Sequence, residues 1–252
     1  MARLLNPASG AAVLLDVQTR RVIAANSEPV AGTFLAPPGS TIKPLVLAAL
    51  LRRGKLGPGD SYPCPTRLAI GGRRFDCTHP QLAAPIRVDT ALAYSCNCFV
   101  AHFAAQFEPG QLAMELHSAG IARSQAAFTS DAQRVQALGE SGVVTSAMEL
   151  ALVYRQLAVN CSQPGMELIT TGLEGAVEFG TAQNAHVAGA TVAGKTGSAT
   201  TATGAHVAWF AGFMPSRAPK VVVTVMLAGR SGGADAAPVA SEILEAHRAG
   251  RL

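Results

Sequence analysis

Both ends of this chain read as strands and its middle reads as helices. That ordering restricts the fold more than any single motif does. Gly10 to Val17 is a short apolar run, Gln18-Thr19-Arg20 is a turn, and Arg21 to Asn26 is a second run, so the start of the chain predicts an antiparallel hairpin. Near the other end, Thr191 to Ser198, Ala205 to Phe213 and Lys220 to Leu227 read as three more strands, broken at Gly204 and at Pro215 to Pro219. Asp235 to Arg248 reads as a closing helix. Between these ends, helical patterning covers Ile86 to Ala93, breaks at Tyr94-Ser95-Cys96-Asn97, and resumes through Phe99 to Ala104. Gln111 to Ser118 predicts another helix, and Ser146-Ala147-Met148-Glu149 predicts a capping box opening one more. The economical fold is α/β (α+β): one antiparallel sheet built from both chain ends, flanked by helices, with a mainly helical subdomain inserted. The expectation is a single domain over 1–252, its sheet part about 1–54 and 186–252 and its helical part about 55–185. A hydrophobic content of 49% against 14% charged residues supports a large core for all of it.

The net charge of +4 is mild, the basic residues are scattered and aromatics make up 5%, which argues against a nucleic-acid surface. Leu45 to Leu51 is the longest strongly apolar run, too short to cross a bilayer and suited to a core helix. The first seven residues lack an apolar signal region. Ser27 to Pro38 reads as a loop, and residues 56–85, rich in Pro, Gly and Cys, as irregular chain. Within that stretch, Leu68 to Phe75 reads as a small hairpin turning at Gly71-Gly72. Cys64 and Cys77 flank it, and either a disulfide or two free thiols suit that placement. The disulfide would imply an oxidising compartment. A zinc reading of Cys64, Cys77, His79 and a fourth ligand lacks regular spacing, so no metal and no cofactor is expected. Cys96, Cys98 and Cys161 read as small buried residues, and the histidines as surface or core.

Chemistry concentrates at Ala36-Pro37-Pro38-Gly39-Ser40-Thr41-Ile42-Lys43-Pro44. Two prolines and a glycine deliver the backbone to Ser40, at the cap or first turn of a helix that ends at Arg52-Arg53-Gly54. Ser40 and Lys43, three apart, share one helix face. A serine becomes a nucleophile when a neighbouring base takes its proton, and a lysine can be that base when burial or a nearby cation depresses its pKa. Alone, Ser-x-x-Lys is a weak signal. Ser95-Cys96-Asn97 and Lys195-Thr196-Gly197 follow it in order.

This triplet resembles the penicillin-binding protein and serine β-lactamase superfamily. Ser95-Cys96-Asn97 is similar to the form found in class B penicillin-binding proteins. Gly139 to Thr145, Trp209 to Pro215 and Ala236-Ala237-Pro238 extend the resemblance over nearly the whole chain. It implies a β-lactamase/transpeptidase-like fold and a D,D-transpeptidase acting on D-Ala-D-Ala stem peptides of peptidoglycan. Ser40 would form the acyl-enzyme, Lys43 would take its proton and Ser95 would relay it. Asn97 would hold the substrate amide and Lys43. Lys195 would lower the Lys43 pKa and attract the substrate carboxylate. Thr196 and Ser198 would bind that carboxylate, and Gly197 would let substrate lie along the strand. The N–H groups of Ser40 and Ser198 would form the oxyanion hole. The implied partners are the stem peptide, β-lactams as covalent inhibitors, and cell-wall synthesis proteins. The implied location is extracytoplasmic, with this chain a soluble piece lacking a membrane anchor. No Glu-x-x-Leu-Asn deacylation element is present, and Glu108, Glu115 and Glu140 lie in other contexts, which favours transfer over hydrolysis. A β-lactamase, a D,D-carboxypeptidase and a penicillin sensor are the rival readings.

Overall fold

The computed structural model describes residues 10–26 and 28–252. Strands β1 (Gly10–Asp16) and β2 (Val22–Ala25) form the expected hairpin. Asp16 closes its turn by accepting from the Thr19 N–H and hydroxyl. Where a loop was expected, helix α1 (Glu28–Thr33) follows. A 3₁₀ turn over Gly39–Ile42 then leads into α2 (Lys43–Arg52), which places Pro44 in its first turn. The hairpin β3 (Ala69–Ile70) and β4 (Arg73–Arg74) turns at Gly71-Gly72, both at positive φ. Helices α3 (Val88–Ala93), α4 (Asn97–Ala104) and α5 (Gln111–Ala119) come next. They are followed by β5 (Arg123–Ser124), α6 (Ser130–Ala137) and β6 (Val143–Val144). Helices α7 (Ala147–Val159) and α8 (Glu167–Glu178) complete the middle of the chain. The last elements are β7 (Ala193–Thr200), β8 (His206–Met214), β9 (Val221–Ala228), a π-helical turn at Gly232–Ala236, and α9 (Ala237–Arg248).

The main sheet is antiparallel in the order β2-β1-β9-β8-β7, so the two chain ends meet where Gly10 to Asp16 pairs with Leu227 to Val221. Both faces are covered. On one, Ala12 and Leu14 of β1, Phe210 of β8 and Val223 and Val225 of β9 pack with Ile243 and Leu244 of α9. On the other, Val13 and Leu15, Trp209, Phe213 and Val222 pack with Leu47 of α2 and Leu150 and Tyr154 of α7. Double burial explains why these strands read as continuous apolar runs. The one polar residue deep in β9, Thr224, donates its hydroxyl to Ala147 O (2.9 Å), so its burial leaves no unpaired group.

Two local expectations change in the fold. Only half of the capping box forms: the Ser146 hydroxyl accepts from Glu149 N–H, but the Glu149 carboxylate turns to Thr145 Oγ1 and Ala122 N–H. Helix α8 was missed because its Gly172 and Gly175 weaken a helical pattern. The packing supplies the reason for Gly172. A Cβ there would lie 2.7 Å from Leu92 Cβ and 2.8 Å from Asp89 O, both on α3. The glycine sets how closely α8 approaches the helix that ends beside Ser95.

Gly172→Ala should therefore destabilise the fold by about 1–3 kcal/mol, the cost of overpacking exceeding the gain in helix propensity of about 1 kcal/mol. A urea-unfolding midpoint equal to or above that of the wild type would contradict this packing account.

Candidate active site

Of the two expected places, cap or first turn, Ser40 takes the second: it sits inside the 3₁₀ turn and caps nothing, and its carbonyl accepts from the Lys43 N–H. The turn is fastened from several directions. The Trp209 indole N–H donates to Pro37 O (2.9 Å), and the Tyr154 hydroxyl to Thr41 O (2.8 Å). The Gly39 N–H donates to Gly139 O (3.0 Å), and the Thr41 hydroxyl to Pro38 O (2.8 Å). Trp209 and Tyr154 are fully buried, so these bonds form away from water. The rigid turn presents a half-exposed Ser40 to a cleft of about 490 Å³.

Lys43 points inward from the same turn and is fully buried. Its Nζ donates to Ser95 O (2.7 Å), Ser95 Oγ (3.2 Å) and Asn97 Oδ1 (2.5 Å). Ser95 reaches this position between α3 and α4 with φ +56°, a left-handed conformation that costs a serine energy and turns both of its oxygens toward the lysine. Asn97 is held from behind, donating Nδ2 to Phe75 O (3.0 Å) and Asp76 O (3.4 Å). Among the described residues Lys43 has no ion-pair partner. Burial lowers its pKa to about 8, while neighbouring cysteines and Glu140 pull the other way. Desolvation is the largest cause, and repulsion between the buried Lys43 and Lys195 acts in the same direction. The coupling is felt at Lys195, whose pKa falls well below the usual lysine range through burial first and the Lys43 charge second.

Lys195, Thr196, Gly197 and Ser198 lie on β7, an edge strand of the main sheet. Lys195 is fully buried and donates to Thr196 O (3.0 Å). The Thr196 hydroxyl donates to Thr181 Oγ1 (2.9 Å). The exposed Ser198 accepts at Oγ from the Gly232 N–H (3.0 Å). Packing gives a reason of its own for Gly197. A Cβ there would lie 2.5 Å from Pro38 O and 2.9 Å from Thr41 Cγ2, so the strand needs glycine to press against the serine turn. That approach also brings the Ser198 backbone against Gly39: a Cβ on Gly39 would meet Ser198 N at 2.9 Å.

Ser40, Ser95, Asn97, Thr196, Gly197 and Ser198 thus line one cleft, with Lys43 and Lys195 beneath it. Glu140, Arg230 and Ser231 also line it. Sequence reasoning set Glu140 aside, although the segment around it was the available signal. Burial raises the Glu140 carboxyl pKa against the opposing charges of Arg73 and Lys43.

Of the two readings of Cys64 and Cys77, the structure shows free cysteines rather than a disulfide. None of the five cysteines is bridged, and these two sulfurs stand 3.7 Å apart. They are drawn into a cluster with Cys96, Cys98 and His79 directly behind Asn97.

The sequence model of the penicillin binding protein transpeptidase domain matches residues 10–245. The chain belongs to that family. The transpeptidase domain is 26% identical to the probable peptidoglycan D,D-transpeptidase PenA of Neisseria flavescens, over 94% of this chain and 74% of that protein. Among solved structures it resembles Pseudomonas aeruginosa PBP2 in complex with WCK 5153, with a TM-score of 0.82, 19% identity and coverage of 95% of this chain and 71% of that one. It also resembles the transpeptidase domain of Burkholderia pseudomallei penicillin-binding protein 3, at TM-score 0.82 and 23% identity, covering 97% and 89%. At these identities the two structures establish the fold of the transpeptidase domain.

Trp209→Phe leaves Pro37 O buried and unpaired and should cost the transpeptidase domain about 1–3 kcal/mol. Chemical denaturation measures it, and an unchanged unfolding free energy would mean that the indole bond does not fasten the turn.

Proposed function

We propose that this chain is a serine D,D-transpeptidase that cross-links peptidoglycan stem peptides. The observation that carries the reading is Lys43: a buried, hydrogen-bonded lysine with a pKa near 8, one turn from Ser40. In its neutral form Lys43 accepts the Ser40 hydroxyl proton as Oγ attacks the carbonyl of the penultimate D-alanine. Ser95, which touches Lys43, relays that proton to the nitrogen of the departing D-alanine. The Ser40 ester then accepts an amine from a second stem, which restores the Ser40 hydroxyl and forms the cross-link. The N–H groups of Ser40 and Ser198 stabilise the oxyanion, an assignment supported by the close approach of Ser198 to Gly39. Asn97 orients the substrate amide. Thr196, Ser198 and the charge of Lys195 receive the terminal carboxylate, and Gly197 keeps their strand against the nucleophile turn. The unpaired edge of β7 suits an extended peptide backbone. β-Lactams, which mimic such a peptide, should acylate Ser40. Family membership and the named relative support an extracytoplasmic place of action; no helix among the described residues is long and apolar enough to cross a membrane.

Glu140 supports a second reading, in which water replaces the acceptor amine. Its carboxyl lines the cleft, and its raised pKa suits a group that activates water.

Intact-protein mass spectrometry after benzylpenicillin should show a persistent adduct on the wild type and none on Ser40→Ala. An adduct on Ser40→Ala would overturn the assignment of the nucleophile. Glu140→Gln should leave the adduct lifetime unchanged under transfer, whereas a longer lifetime would establish hydrolysis through Glu140. The neutral amine is the base, so the acylation rate constant should fall about tenfold per unit below pH 8 and level off above it. A flat profile through that range would remove Lys43 from the proton path.

A further inference from the structure

We propose that Cys64, Cys77, His79 and Cys96 form a structural zinc site that clamps the β3–β4 hairpin segment onto the Ser95–Asn97 loop. The four ligand atoms lie within 4.8 Å of one another. The three sulfur–sulfur separations and the Cys64–His79 separation are those of a tetrahedron around an ion. Zinc bonds of about 2.3 Å to sulfur and 2.0–2.1 Å to nitrogen place sulfurs about 3.8 Å apart, and sulfur and nitrogen about 3.6 Å apart. The sulfurs of Cys64 and Cys77 are 3.7 Å apart, those of Cys77 and Cys96 3.7 Å, and those of Cys96 and Cys64 3.5 Å. Cys64 Sγ lies 3.7 Å from His79 Nε2.

The surroundings are those of a ligand set rather than of packed thiols. His79 Nδ1 lies 2.8 Å from Pro80 O. That contact keeps the proton on Nδ1 and leaves the Nε2 lone pair facing the sulfurs. Each of the three sulfurs accepts a backbone N–H: Cys64 from Thr66 (3.3 Å), Cys77 from Cys98 (3.5 Å) and Cys96 from Phe99 (3.4 Å). Such bonds stabilise thiolates, the form that binds metal. Thr66 supplies its N–H from φ +60°, a conformation strained for a β-branched residue and kept here to aim at sulfur. Cys98 stands outside the set. Its sulfur touches Cys77 Sγ (3.5 Å) and Arg67 O (3.7 Å) and is not among the four mutually close ligands.

The position of the cluster gives it a consequence for the proposed reaction. Cys96 is the residue between Ser95 and Asn97, and Asn97 donates to Phe75 O and Asp76 O, immediately before Cys77. An ion shared by Cys96, Cys77 and Cys64 therefore fixes the backbone that holds Asn97 and Ser95 against Lys43. This coupling rests on the catalytic reading above; the metal site itself does not.

The test is elemental analysis of the purified, reduced protein, together with titration of the apo protein with cobalt(II). About one zinc per chain and a thiolate-to-cobalt charge-transfer band are expected. Cys64→Ser and Cys96→Ser should lose both signals. Cys98→Ser should keep both, and His79→Cys, which preserves four ligands, should retain zinc where His79→Ala does not. No zinc and no cobalt band in the reduced wild type would overturn the site, as would a disulfide among Cys64, Cys77 and Cys96 in the protein as isolated. Equal metal loss in Cys98→Ser and Cys96→Ser would overturn the ligand assignment. Chelating the zinc should slow benzylpenicillin acylation roughly 10–100-fold, as lost support around a site does. Acylation unaffected by chelation would overturn the coupling. Zinc bound by a protein that penicillin never acylates would sink the catalytic reading and leave the metal site standing.

Discussion

The site depends on a lysine ammonium held out of water. Burying a cation costs several kcal/mol unless hydrogen bonds replace its hydration. For Lys43 the replacements come from one short segment: the Ser95 carbonyl and hydroxyl and the Asn97 amide oxygen. That requirement explains the break between α3 and α4, since an unbroken helix would spend the Ser95 carbonyl on its own ladder. It also explains the strained φ of Ser95. The incomplete compensation shows in the depressed pKa, so the same burial that taxes stability prepares a base.

The other half of the site is a matter of close approach. β7 and the Ser40 turn come from opposite ends of the chain and meet backbone to backbone, with Gly39 and Gly197 at the contact. Trp209 on β8 reaches Pro37, and Tyr154 on α7 reaches Thr41, so sheet and helical layer both hold the turn. Neither bond involves a group with a chemical role. Their effect is that Ser40 is placed by the fold as a whole rather than by its own helix.

Much of this was legible in the sequence. The strands at both ends could be read because double burial makes β8 and β9 continuously apolar, and the three short motifs carried the site because their spacing was intact. What escaped was what long-range packing decides. Helix α8 was hidden by Gly172, whose purpose is visible only when α3 lies against it. The packing role of Gly197 was not legible, because the serine turn that crowds it is more than 150 residues away in the chain. Glu140 was set aside for lacking a motif, though folding α6 against α4 brings it to the cleft. The cysteine cluster was illegible for a related reason: Cys64, Cys77, His79 and Cys96 have no regular interval, and only the hairpin and the turn after α3 bring them together.

The register of β1 against β9 has a consequence for how such a chain emerges from a ribosome. Residues 10–16 have their central partner in residues 221–227, so the middle of the sheet cannot close until the chain has been made through residue 227. Until then β1 and β2 form a two-stranded ribbon with an open edge, and a two-stranded hairpin is marginal in water. The nucleophile turn is synthesised long before the strand it leans on. Until β7 is made, the growing chain carries its serine and lysine without the architecture that makes them a site.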